Sequence, residues 1–313
     1  MKGGDQSLSR RDALILCGGM SAGLLIPKMT AAETDRPLLV RPIPHGQGET
    51  LPVIGVGTAG VFNAGSSPQE RAGPTEVVRA LVAGGGSIID TAPSYGEAEN
   101  VVGGILADTG LRPRVFIATK LEQYRAGAEA AEARESLHRL KTEKVDALQL
   151  HNVRDPDQDF GGLNELKAQG LCRYTGITTT SKGAYAAAEA ILKRAKPDFL
   201  EIDYAIDNRD AEERLLPTAM DVGAAVLVAL PFGRGRLFRQ ALGKQLPDWA
   251  ADFDCTSWGQ FFLKFILAHP AVTAVIPGTD KAEHMLDNLA AGRGRLPDAK
   301  QRVRMTQYME SLG

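Results

Sequence analysis

The chain is poor in cysteine, with three in 313 residues. Three thiols cannot build the disulfide framework of a small secreted scaffold, so a hydrophobic core must hold the fold. Neither charge is in excess. Lys and Arg total 36 against 38 Asp and Glu, a formal charge of −2, and no basic field invites nucleic acid. Long apolar runs are also missing. The uncharged stretch from Ala13 to Ile26 has 14 residues, short of the roughly 20 that span a bilayer, so no stable membrane anchor is expected. With 43% hydrophobic and 24% charged residues, 34 Gly and 17 Pro, the composition is globular. It excludes collagen, coiled coil and wholesale disorder.

The first 32 residues differ from the rest. Lys2, Arg10 and Arg11 precede the uncharged stretch, and Pro27-Lys28-Met29-Thr30-Ala31-Ala32 follows it. A basic start, a short apolar middle and small residues at the end form the pattern of a removable signal peptide. Ser9-Arg10-Arg11-Asp12-Ala13-Leu14 resembles the twin-arginine export motif, with Ala13 where an aromatic or leucine is usual. The expectation is a signal peptide over 1–32 and cleavage near Ala31 or Ala32. The export machinery is then a partner, and the location periplasmic or otherwise exported. The mature chain keeps Cys172 and Cys255, read as two unbridged thiols.

After the leader, eight short β-branched runs alternate with helical patterns. The runs are Val53–Thr58, Ser87–Asp90, Val115–Lys120, Val145–His151, Tyr174–Thr179, Phe199–Tyr204, Ala225–Ala229 and Val272–Ile276. Between them, Pro74–Ala83, Ala98–Ala107, Ala126–Leu140, Gly183–Ala195 and Ala211–Val222 carry apolar residues at helical spacing. Strand followed by helix, eight times, predicts an α/β fold, a (β/α)8 TIM barrel. A doubly wound sheet would need a Gly-rich phosphate turn after the first strand, and Gly55-Val56-Gly57 lies inside it. Leu38–Ile43 and Thr50–Leu51 flank the turn-rich His45-Gly46-Gln47-Gly48, which predicts a hairpin plugging the barrel's bottom.

Active sites of such barrels sit at the C-terminal ends of the strands. The second run ends at Asp90, the third at Lys120 and the fourth at His151. Three ionisable groups at matched places in successive units can meet at one rim. Tyr95, in Thr91-Ala92-Pro93-Ser94-Tyr95-Gly96, can turn back over the mouth. An ammonium beside the phenol is expected to lower its pKa, making Tyr95 a general acid to an alkoxide, with His151 stabilising charge on the oxygen. The set suits reduction of a small-molecule carbonyl. A binding protein on the same barrel and a cofactor-free lyase or isomerase are the competing readings.

These motifs resemble the aldo-keto reductase family. They run as Ile88-Ile89-Asp90-Thr91-Ala92-Pro93-Ser94-Tyr95-Gly96 with Glu99 and Gly103, then Ala118-Thr119-Lys120, Glu135-Ser136-Leu137-His138-Arg139-Leu140 and Val145-Asp146-Ala147-Leu148-Gln149-Leu150-His151. Val275-Ile276-Pro277-Gly278-Thr279 and Asp287-Asn288 complete them, so the likeness covers Leu38 to Ala291 within a barrel domain at 36–313. It implies the catalytic set Asp90, Tyr95, Lys120 and His151 and a nicotinamide cofactor extended across the mouth, NADP(H) ahead of NAD(H), with no metal. Thr58 and Thr178-Thr179 fall in its cofactor path, the latter replacing a usual Ser-Asn. Glu201 stands where the family has Gln and Ala229 where it often has an aromatic, leaving Phe232 to stack. Gly233, Arg234 and Gly235 are assigned to the pyrophosphate, and Thr279, Lys281, His284, Asp287 and Asn288 to the adenosine end. Asp280 replaces a basic residue there and works against a 2′-phosphate. Phe62, Leu237, Phe238 and Trp249 are expected to line an apolar substrate pocket, and the tail after Pro297 to be short and polar, leaving the pocket open.

Overall fold

A computed structural model describes residues 36–65, 67–122 and 127–313. The signal peptide assigned to 1–32 lies outside the described residues. Strands β1 (Val40–Pro42) and β2 (Thr50–Pro52) pair antiparallel, Arg41 opposite Leu51. Eight parallel strands follow in sequential order: β3 (Val56–Gly57), β4 (Ile88–Asp90), β5 (Phe116–Leu121), β6 (Val145–Leu150), β7 (Cys172–Thr179), β8 (Phe199–Asp203), β9 (Ala225–Ala229) and β10 (Val272–Val275). Parallel bridges from Ile54 to Val275 and from Gly57 to Gly278 join the two edges into a barrel. Gly57 is required at that seam, because a Cβ there would lie 2.8 Å from the Ile276 carbonyl oxygen.

The barrel interior is filled by inward residues of alternating register, among them Ile88, Phe116, Ala118, Ala147, Phe199, Leu227 and Ile276. Ile43 and Leu51 of the hairpin join this cluster, so the hairpin closes the bottom as expected. Each such fully buried Ile or Phe contributes about 1.5–3 kcal/mol.

Outside the strands lie α1 (Ala72–Ala83), α2 (Ala98–Thr109), α3 (Glu129–Arg139), α4 (Gly161–Ala168), α5 (Tyr185–Ala195), α6 (Leu215–Val222), α7 (Arg236–Gln240), α8 (Trp258–Leu267), α9 (Ala282–Ala291) and α10 (Ala299–Ser311). The expected helices are all present. α5 and α6 begin later than their sequence patterns because 3-10 turns at Lys182–Ala184 and Asp210–Glu212 precede them. Two motif residues are scaffold. A Cβ on Gly103 would collide with the Arg139 carbonyl oxygen, so the glycine lets α2 approach the end of α3. Buried Glu99 accepts from Thr119 Oγ1 at 2.6 Å and from Arg139 Nε at 2.7 Å, tying α2 to β5 and α3.

The tail after Pro297, expected to be short and polar, is helical. It forms α10, started by a reciprocal capping box between Asp298 and Gln301. Met305 and Met309 are buried, Arg302 stacks 4.4 Å over Phe265 of α8, and Gln240 of α7 bonds the Met309 carbonyl. Cys172 and Cys255 are buried and unbridged, and burial pushes each thiol up to about 12.

Lys264 is fully buried in α8, its Nζ donating to the Arg293 and Arg295 carbonyls at 2.8 and 2.9 Å. Burial holds this ammonium down to about 8, against an ordinary value of 10.5. A depressed lysine opposes folding while charged. Its penalty disappears as pH rises from about 8 towards 10.5, because the unfolded chain then holds the extra proton. Relative to Lys264→Met, native stability should therefore increase by roughly 2–3 kcal/mol across that window in urea titrations. A flat difference would show that the ammonium is not penalised.

Candidate active site

The strand period of two decides which side chains face the barrel axis. Asp90 ends β4, Lys120 lies next to the end of β5, and His151 follows β6. The structure brings all three to the mouth with Tyr95 from the loop after β4. Lys120 Nζ lies 2.6 Å from Asp90 Oδ1, 3.0 Å from the Thr91 carbonyl oxygen and 5.4 Å from the centre of the Tyr95 ring. The Tyr95 and His151 rings meet edge to face, centroids 5.8 Å apart.

A second carboxylate joins this set. Glu201 of β8 approaches Lys120 Nζ at 3.2 Å and accepts from Gln149 Nε2 at 2.9 Å. Glu201 is thus bound into the catalytic cluster, whereas the sequence reading placed it only on a cofactor amide. Gln149 was not foreseen. It sits two residues before His151 on the same face of β6, and that period was the available signal.

The charge balance corrects the expected acidic phenol. Burial is the largest influence on Tyr95 and raises its pKa. Lys120 pulls it down, but Asp90, Glu201 and Glu122 push it up again, and the phenol ends well above its ordinary value. One ammonium shared by two carboxylates has little field left for a third group. Burial, then Glu201, also raises Asp90 against the pull of Lys120. Burial opposes the Lys120 charge, yet Asp90 and Glu201 outweigh it and keep the amine protonated.

Another missed residue is Glu122. It follows Lys120 by two and so shares its face. Its Oε1 lies 2.5 Å from His151 Nδ1 and accepts from Ser94 Oγ at 2.6 Å. Beside them is a cavity of about 410 Å³ lined by Glu122, His151, Asn152, Arg154, Asp155 and Gln158. Its six lining residues are polar in type, but more carbon than polar surface faces the cavity. Phe62 and Leu237, expected to wall the substrate, are fully buried core, and Trp249 and Phe238 pack against that core. A larger trough, about 540 Å³, crosses the ends of β7, β8 and β9 between Thr180, Ser181, Lys182, Asp203, Asn208, Leu230 and Arg234.

Residues 53–302 match the model of the aldo/keto reductase family. The chain belongs to that family. It is accordingly an oxidoreductase that reduces an aldehyde or ketone with a nicotinamide cofactor. Among curated relatives it is 28% identical over 261 residues to methylglyoxal reductase YeaE of Escherichia coli, covering 80% of this chain and 89% of that one. It is 27% identical over 286 residues to aldo-keto reductase str7 of Strobilurus tenacellus, covering 80% and 84%. An aldo/keto reductase from Klebsiella pneumoniae, solved with NADP and acetate, superposes with TM-score 0.71 at 24% identity, covering 84% of this chain and 93% of that one. The holo aldo-keto reductase of Bacillus halodurans gives 0.69 at 24%, covering 87% and 96%.

The trough fits a reductase cofactor in part. Arg234, Arg236 and Lys182 line it or its rim, although Arg236 pairs with Asp207 at 2.6 Å and Lys182 with Asp210 at 2.5 Å. Gly233, Arg234 and Gly235 have φ of 55°, 55° and 80°, a left-handed run that only glycine flanks accept easily. The N–H groups of Gly233, Gly235 and Arg236 are spent on local turns. The Arg234 guanidinium is then the group left for phosphate, in place of a bare backbone cradle. Thr178 Oγ1 accepts from the Asn152 amide N–H at 2.8 Å, and Thr179 Oγ1 donates to the Ser181 carbonyl at 3.4 Å. Buried Thr58 Oγ1, at the end of β3, has no hydrogen-bond partner among the described residues.

Two side chains assigned to the cofactor also have partners within the protein. Phe232 packs 4.8 Å from Phe238 and 6.4 Å from Phe262. Asp287 accepts from Ser257 Oγ and Gln260 Nε2 at 2.7 and 2.8 Å, tying α9 to the start of α8. Thr279, Lys281 and His284 cluster at the start of α9, the threonine oxygen accepting from the Lys281 N–H. Asn288, one turn on, is buried.

Proposed function

We propose that Tyr95 is the general acid of a reductase that prefers NADP(H) and takes a small carbonyl compound. The observation that supports this is the convergence of Lys120, Asp90, Tyr95 and His151 at the barrel mouth. The cofactor, when bound, supplies a hydride to the carbonyl carbon. Everything else falls to side chains. Tyr95 stays protonated because its burial outweighs the neighbouring ammonium. A neutral phenol is a proton donor, and an alkoxide is a stronger base than a phenolate, so transfer to the reduced oxygen runs downhill. Lys120, locked between Asp90 and Glu201, keeps its positive charge 5.4 Å from the Tyr95 ring centre and is the cation that faces the phenolate, its field reduced by the two carboxylates. His151 bonds the same oxygen. The 410 Å³ cavity offers hydrogen-bonding groups next to His151 to a small substrate.

Arg234 would meet the pyrophosphate and Thr178, Thr179 and Asn152 the carboxamide. At the far end, Lys281 and His284 would offset Asp280 around a 2′-phosphate; the NADP and NADPH found in the Klebsiella pneumoniae relatives support this preference. Fluorescence titration of the purified protein should show saturable binding of both cofactors, NADPH tighter by about tenfold, the weight of one charge-assisted hydrogen bond. Failure of both to bind at millimolar concentration would remove the reductase reading.

We further propose that 1–32 is a twin-arginine signal peptide and 36–313 the exported enzyme. The Arg10-Arg11 pair before a 14-residue uncharged stretch supports it. Among the described residues no helix is long and apolar enough to cross a membrane. Fractionated cells should hold a shortened chain outside the cytoplasm, and Arg10→Lys with Arg11→Lys should retain the full-length chain inside.

A further inference from the structure

The carboxylate beside His151 acts on Tyr95 only through its charge, and its hydrogen bonds go elsewhere. Glu122 takes hydrogen bonds from Ser94 Oγ at 2.6 Å and meets His151 Nδ1 at 2.5 Å. Burial pushes the Glu122 carboxyl upward, but the bonds from His151 and Ser94 outweigh it and hold it below the usual carboxylate range. An ionised carboxylate can only accept, so the hydrogen in the Glu122–His151 bond sits on Nδ1. A neutral imidazole with its hydrogen on Nδ1 carries a lone pair on Nε2. A carbonyl oxygen is also acceptor-only and cannot bond to that lone pair, whereas an alcohol hydroxyl can donate to it. Only an imidazolium offers Nε2–H to a carbonyl.

We propose that Glu122 is a positioning residue that fixes the Nδ1–H tautomer of His151 and so makes substrate choice depend on His151 protonation. Imidazolium admits the carbonyl; neutral imidazole admits the alcohol. The proposal deepens the reductase reading and rests on it. No extra proton is consumed. Hydride addition turns the carbonyl into an alkoxide, Tyr95 gives that oxygen its proton, and His151 Nε2–H bonds the oxygen throughout. In the reverse run the alcohol donates to neutral Nε2; its hydroxyl proton would pass to Nε2 as a bound oxidised nicotinamide took the hydride from carbon, leaving the carbonyl held by the imidazolium so formed. The titratable and charged groups on the surrounding elements are Glu122 and Lys120 from the end of β5, Asp90 and Tyr95 from β4 and its loop, and Glu201 from β8. Arg154 and Asp155 come from the loop that follows His151. Of these, only Glu122 reaches the ring with a hydrogen-bonding atom.

The test joins spectroscopy to kinetics. The chain has five histidines, so ¹⁵N-histidine labelling of the whole protein, with His151→Gln for assignment, reads the tautomer without substrate or cofactor. Neutral His151 should carry its proton on Nδ1 in the wild type. In Glu122→Gln the amide NH2 can donate to Nδ1, and an Nε2–H population should emerge. In the wild type, KM for the carbonyl should rise by about tenfold as pH passes through the imidazole titration, the effect of one lost hydrogen bond. KM for the alcohol should fall over the same range. Both trends should flatten in Glu122→Gln, with kcat changed far less than KM.

A wild-type Nε2–H tautomer overturns the proposal, even if the variant fails to fold. Unchanged pH trends in a folded Glu122→Gln overturn it as well. Absence of cofactor binding would sink the reductase reading alone, leaving the tautomer result standing by itself.

Discussion

Tyr95→Phe should lower kcat for carbonyl reduction by about 10²–10⁴-fold, the usual worth of a positioned general acid. The phenyl ring would keep its edge contact with His151 and its place near Lys120, so fold and cofactor affinity should change little. Steady-state kinetics with fluorescence titration of NADPH separate the two quantities. Because burial holds the wild-type phenol above its ordinary range, the reduction profile should show no loss of a protonated donor below about pH 10, the ordinary phenol value. Retained turnover in the variant would place the proton donor elsewhere, with His151 the first group to examine.

Lys120→Met should be the most destabilising single change at the mouth. Lys120 is fully buried and neutralises Asp90 and Glu201 at 2.6 and 3.2 Å. Without it two carboxylates share one dry site, and breaking a buried pair in this way costs about 3–5 kcal/mol at neutral pH. The sign of the pH effect follows. In the variant the folded carboxyl pKa values lie above the unfolded ones, so stability falls as pH rises through about 4 and is least impaired in acid. Urea unfolding at acid and neutral pH checks this. Adding Asp90→Asn and Glu201→Gln to Lys120→Met should restore much of the loss, since the uncompensated charge is then gone. A loss unchanged by these additions would point to packing as the cause.

Much of this architecture is written in local pattern. Eight β-branched runs alternating with amphipathic segments forced a parallel barrel, and each strand falls on one of those runs, β5 ending one residue beyond its run and β7 starting two residues before its own. The placement of Asp90, Lys120 and His151 followed from where each run stops. Glu122 and Gln149 were also within reach, because each sits two residues from a catalytic neighbour and so shares its face. What hid them was the partner. Glu122 matters through Ser94 and His151, 28 and 29 residues away, and Gln149 through Glu201, 52 residues away.

The aromatics went astray for a related reason. Phe62 and Phe232 lie in loops next to the mouth by sequence, yet one is fully buried and the other turns towards Phe238 and Phe262. A position on the chain says which loop a ring belongs to; rotamer and packing decide which way it points.

The order of apolar and polar residues was therefore sufficient for the barrel, its bottom plug and the meeting of Asp90, Tyr95, Lys120 and His151 at one mouth, because period and strand length act over a few residues. The tertiary structure alone decided the protonation of Tyr95, the sharing of Lys120 between two acids and the carboxylate behind His151. Those depend on distances across neighbouring and non-neighbouring strands and on how completely water is excluded, and both arise only when the barrel closes.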